Sequence, residues 1–233
     1  MTNATWTGAN SSIYKDSENW NPKSVPDISD TATFDDTAST LTVALVGDQF
    51  FAVGGWTINS GDYEFDAIIP FGRTLSFHGS GIAVNGGSLT LNVTYLVFNN
   101  SSSAGNAHIN SYGALNIGPD ATAGSAQINA YENFLSDGSL GNATINWYGQ
   151  IDPNPPPIFP HALINSGVES ATINNYELAQ ISVEQTDNGV VNTYASALTY
   201  FTGQENAGTS VIITHGSATS IFMDHTSGGD ARF

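Results

Sequence analysis

The residues of this chain that could do chemistry are carboxylates. Asp27, Asp30, Asp35 and Asp36 cluster near the N-terminus. Asp62, Glu64 and Asp66 alternate, so a strand would set all three on one face. Same-face carboxylates can hold calcium through oxygen ligands or flank a glycosidic bond as acid and base. A lyase would also need a cation near the sugar carboxylate, and no Lys or Arg stands between Arg73 and Arg232. More often such residues are solvated charge, and this chain is acidic throughout. The five histidines, His78, His108, His161, His215 and His225, show no close metal-ligand pairing and read as exposed strand or turn residues. No Gly-x-Ser-x-Gly elbow occurs, and the glycine-rich segments lack the lysine of a phosphate loop. Cysteine is absent, which removes disulfides, thiolate metal sites and thiol catalysis. The expectation is therefore no enzyme activity, no catalytic residue, no metal and no cofactor.

Composition narrows the partners. Four Lys and Arg stand against 21 Asp and Glu, a net charge of −17 over 233 residues. Nucleic acid is excluded, because its affinity comes from cations that neutralise phosphates. Anionic lipid is disfavoured for the same reason. No apolar run is long enough for a transmembrane helix. Only 11% of residues are charged, while 40% are hydrophobic. The polar share is mostly Ser, Thr, Asn and Gly, which favour strands and turns over helices.

The elements that must position these residues repeat. The phrase runs Ala104-Gly-Asn-Ala-His-Ile-Asn110, Ala123-Gly-Ser-Ala-Gln-Ile-Asn129, Leu140-Gly-Asn-Ala-Thr-Ile-Asn146 and Val168-Glu-Ser-Ala-Thr-Ile-Asn174. Weaker copies start at Ala207 and Gly228. The second positions step by 19, 17, 28, 39 and 21 residues, so the period is near 20, with one insertion and one degenerate copy near Gly189. Within each copy Ala and Ile are two apart and share a strand face, while His108, Gln127, Thr144 and Thr172 point the other way. A second alternating segment follows, such as Ala114-Leu-Asn-Ile117. A helix-free unit of this size cannot bury its own apolar face; stacked in register it can. The sequence therefore predicts an all-β, right-handed parallel β-helix with rungs of about 20 residues. Ile109, Ile128, Ile145 and Ile173 should form a buried column, and Asn110, Asn129, Asn146 and Asn174 an amide ladder.

Residues 1–36, with Trp6, Trp20, Pro22 and Pro26, read as an N-terminal cap. Residues 37–98 read as irregular early rungs and 99–233 as regular ones. The opening Trp6-Thr-Gly-Ala9, Asn19-Trp-Asn-Pro22, Val25-Pro26 and Asp30-Thr-Ala-Thr-Phe34, followed by Gly-x-Ala-x-Ile-Asn units, resembles bacterial autotransporter passenger proteins. That resemblance implies a secreted or surface-displayed β-helix, often an adhesin-like stalk, borne by a C-terminal membrane barrel. It implies no catalytic residue. The chain starts Met1-Thr2-Asn3 without a charged and apolar leader, and no barrel strands follow Phe233. It is thus expected to be a passenger fragment, or a small relative with another route outside.

Three surface features are candidates for recognition. Ile151-Asp-Pro-Asn-Pro-Pro-Pro-Ile-Phe-Pro160 holds Pro153, Pro155, Pro156 and Pro157 ahead of Ile158 and Phe159. Such a stiff stretch must leave the sheet. It is either a recognition loop or a tolerated insertion at 151–160. Tyr112, Tyr131, Trp147 and Tyr148 follow successive Ile-Asn phrases, as a sugar-binding aromatic face or a stacked corner. The last phrase places Gly229, Ala231 and Phe233 at the start of a new rung, a candidate assembly edge. The functional expectation is a non-catalytic stalk or adhesin outside the cell, binding glycans or cell-surface proteins. The alternatives are a self-associating filament subunit and a polysaccharide-active enzyme or phage-like spike.

Overall fold

A computed structural model describes residues 3–47, 50–67, 74–149, 161–177, 179–185, 188–202 and 209–223. Among these the only helix is the 3-10 turn Ser17–Asn19. No helix among them is long and apolar enough to cross a membrane. The rest is strand and turn, wound into a parallel β-solenoid whose chain passes alternately between a twelve-stranded and a nine-stranded sheet. A third, narrow side is made of single parallel bridges that link Gly81, Ser103, Thr122 and Ser139 in turn.

The repeat phrase builds the nine-stranded sheet. His108–Ser111, Gln127–Ala130, Thr144–Trp147 and Thr172–Asn175 pair in parallel with Ile109, Ile128, Ile145 and Ile173 opposite one another. The column extends past the phrase in both directions. Val43, Phe65 and Leu91 stand below Ile109, and Val191 and Ile212 above Ile173, all buried. Burying one such side chain is worth about 1.5–3 kcal/mol, so stacking supplies what a lone rung cannot. The degenerate copy near Gly189 is the strand Val190–Thr193, in register with Thr172–Asn175.

The turn before each strand needs a left-handed residue. Gly105, Gly124 and Gly141 have φ of 63°, 64° and 57°. A Cβ on Gly141 would lie 2.6 Å from the Gly124 carbonyl oxygen. The fourth copy breaks the pattern with Glu169, at φ 54°. Its carboxylate reaches back one rung and accepts from the Ser139 hydroxyl at 2.8 Å and the Gly141 N–H at 3.1 Å. These bonds offset the strain of a side chain in the left-handed region.

The N-terminal residues fill the first rungs with rings. Trp6, Tyr14, Trp20, Phe34, Trp56, Tyr63, Phe65 and Phe77 are buried in one contiguous cluster. Trp20–Asn21 pairs antiparallel with Ala4–Trp6, which pairs in parallel with Thr31–Phe34. Across the other sheet, Ala44 exchanges backbone bonds with Ser12 and Tyr14. Buried Asn19 ties this segment down, accepting from the Asn10 and Ser11 N–H groups and donating to the Ile13 carbonyl.

Candidate functional site

Along each strand of the nine-stranded sheet, residues alternate between core and solvent. Three outward columns result, typified by His108, Asn110 and Tyr112.

The middle column is a continuous amide ladder. The Nδ2 of Asn192 donates to Asn174, Asn174 to Asn146, Asn146 to Asn129, Asn129 to Asn110 and Asn110 to Asn92, at 2.8–2.9 Å. Asn92 then donates to both Glu64 and Asp66 at 3.0 Å. Carboxylates can only accept, so this pair sets the direction of every amide above it. Sequence reasoning anticipated the ladder over four asparagines. It missed Asn92 and Asn192, which lie outside clean copies of the phrase. Their signal is the register: each stands one residue after an inward Leu91 or Val191.

The third column is a ring stack. Tyr112, Tyr131, Tyr148, Tyr176, Tyr194 and His215 lie nearly parallel, with centroids 4.3–5.1 Å apart. Each stands three residues after the inward column position, a spacing that extends the expected aromatic face to Tyr176, Tyr194 and His215. Trp147 does not belong to it. Two residues after inward Ile145, it shares that residue's face and is fully buried. The rings between the ends cover one another's faces, leaving edges and hydroxyls outward. A sugar ring stacks on a face, so the column offers no such platform between Tyr112 and His215. Burial, reinforced by the neighbouring tyrosines, holds the Tyr131 and Tyr176 hydroxyls above the usual phenol range.

The carboxylates serve local order. Asp62 accepts from the Ser88 hydroxyl at 2.7 Å, and Glu64 and Asp66 end the ladder. Asp27 accepts from the Ser29 N–H and hydroxyl, which hold it below the usual carboxylate range. Asp30 accepts from the Asp27 N–H at 3.3 Å. Asp35 accepts from Thr37, and Asp36 from Ser60. Among the described residues no three His, Asp or Glu side chains converge to hold a metal ion. His78 meets Ser76, His108 stands in the first outward column, and His215 ends the ring stack. The proline-rich segment with Pro153, Pro155, Pro156, Pro157, Ile158 and Phe159, and the terminal Gly229, Ala231 and Phe233, lie outside the described residues.

Three buried polar atoms stand without a partner in the inward column beside the ladder, Ser111 Oγ among them. Trp147 Nε1 and Asn175 Oδ1 have no hydrogen-bond partner, although their residues are neighbours in register. Above them, Asn175 Nδ2 donates to Thr199 Oγ1 at 3.1 Å, and Thr199 and Thr193 share a 2.7 Å bond.

Comparison with known proteins gave no match to a family model, a curated protein or a solved structure.

Proposed function

We propose that this chain is a non-catalytic rod, the stalk of a surface-displayed, adhesin-like passenger. The observation that supports it is uniformity. From Val43 to Ile212 the inward column stays aliphatic or aromatic, and outside it amides stack on amides and rings on rings. Catalytic sites need a few residues that differ from their neighbours and converge in a cleft. Here two of the three outward columns, the asparagines and the tyrosines, repeat from rung to rung, as a spacer or a repetitive contact surface requires. The resemblance of the opening residues to autotransporter passengers supports a location outside the cell.

The test has two arms. Beads coated with the chain should adhere to cell or glycan surfaces better than beads coated with an unrelated acidic protein. Equal adhesion by both kinds of bead would overturn the adhesin reading. Cleavage of any polysaccharide that disappears in Glu64→Gln or Asp62→Asn would overturn the non-catalytic one.

A further inference from the structure

We infer that the outer face of the nine-stranded sheet binds an uncharged, extended, β-linked polysaccharide lying along the solenoid axis. This rests on the adhesive reading above and names its partner.

Charge is the first argument. On the seven strands from Ser88–Val93 to Val211–Thr214, the three outward columns contain no Asp, Glu, Lys or Arg. They hold Thr, His, Gln, Asn, Tyr, Val and Ile, in a chain with 21 acidic residues. Among the described residues, the acids of the same rungs stand off this face, at Asp120, Glu132, Asp137, Glu169, Glu177 and Glu184. An anionic polymer would be repelled by that rim and find no cation on the face. A second copy of the chain would bring another −17 of like charge against it. A neutral partner meets neither obstacle.

Hydrogen-bonding capacity is the second. Asn110, Asn129, Asn146 and Asn174 each spend one amide N–H and one carbonyl lone pair on their ladder neighbours. A primary amide has two N–H groups and two lone pairs, so one of each remains. These recur every rung, about 4.8 Å apart, and the His108, Gln127, Thr144 and Thr172 column runs beside them, roughly 7 Å away. A sugar hydroxyl both donates and accepts. A residue of an extended β-1,4-linked glycan advances by nearly one rung and successive residues are turned over, so one chain can repeat the same contacts at every second rung along the axis. The amides are already held by the ladder, which reduces the ordering cost of binding. Single contacts are weak, but several along one polymer act together. Because the ring faces are covered, recognition here runs through hydroxyls and amides.

The test is native gel electrophoresis of the whole chain in gels containing hydroxyethyl cellulose or polygalacturonate. The neutral glucan should retard the chain, with little dependence on salt; the acidic polymer should not. His108→Ala, Gln127→Ala, Thr144→Ala and Thr172→Ala combined remove the first outward column without touching core or ladder. They should weaken retardation at least about tenfold, with an unchanged circular dichroism spectrum. Should that variant fold poorly, Gln127→Arg lays a long charged side chain across the same face and should weaken binding comparably. Absence of retardation by the neutral glucan, equal retardation by polygalacturonate, or unchanged binding in the folded variant would each overturn the inference. So would concentration-dependent dimers, seen by light scattering, that the same variant abolishes. Bead adhesion that persists without glucan binding would sink this inference alone; loss of both would sink the adhesive reading with it.

Discussion

Asn129→Asp tests the ladder directly. In the native chain Asn129 Nδ2 donates to Asn110 Oδ1 at 2.9 Å, and its Oδ1 accepts from Asn146 Nδ2 at 2.9 Å. Aspartate keeps the second bond and cannot make the first. Its other oxygen then faces the Asn110 oxygen at what was hydrogen-bond distance. A lost neutral hydrogen bond costs about 1 kcal/mol, and an acceptor left against an acceptor about 1–3 more. A charge-assisted bond from Asn146 returns part of this, for a net loss of about 2 kcal/mol. A protonated carboxyl can donate to Asn110 and restore the ladder. Folding therefore favours the protonated form and raises the carboxyl above its unfolded value of about 3.9. A group raised on folding contributes stability that is present below the unfolded value and lost as pH rises. The variant should match the wild type below about pH 4 and show its full deficit by about pH 7. With a urea slope of about 2–3 kcal/mol/M, the midpoint should fall by about 0.7–1 M at neutral pH. Circular dichroism in urea at both pH values reads this. An equal deficit at both, or none at either, would refute the hydrogen-bonded ladder.

Further predictions follow from neighbouring positions. Ile145→Ala, between Ile128 and Ile173 in the core column, should cost about 2–5 kcal/mol, while Thr144→Ala on the outward face should stay within about 0.5. Trp147→Phe removes a buried N–H with no partner and should cost less than about 1 kcal/mol in thermal melts, against about 3–5 for Trp147→Ala. A large loss in Trp147→Phe would instead reveal a bridging water between Trp147 and Asn175. Gly141→Ala should cost at least about 1–2 kcal/mol from its left-handed backbone alone, with the contact to Gly124 added. Burial pushes the Tyr63 phenol up to about 12 and raises Tyr131 and Tyr176. Their neutral forms contribute stability present below the ordinary value near 10 and lost as pH rises. Phenolate absorbance at about pH 11 should fall short of the nine tyrosines while the fold persists; nine ionising together in a native chain would refute this.

Much of the fold was legible because stacking turns local pattern into global order. A strand alternates faces with period two, so Ala107 and Ile109 declare an inward face and His108 an outward one from sequence alone. In-register parallel stacking then places like residues on like, and the Ile and Asn columns follow from four copies of one phrase. The same rule, applied one step further, would have turned Trp147 inward. Its adjacency to Tyr148 drew it into the aromatic face instead.

The sequence by itself determined the strand period, most of the inward and outward sets, the scarcity of cations and the absence of thiol chemistry. These depend on residue type and spacing alone. Only the tertiary structure decided which rungs join across irregular spacing. Phe65 and Leu91 continue the isoleucine column without sharing its phrase, because register is settled by backbone pairing and core volume. It also decided that Glu64 and Asp66 close an amide ladder. Their sequence distance to Asn92 carries no information about contact; one turn of the solenoid removes that distance.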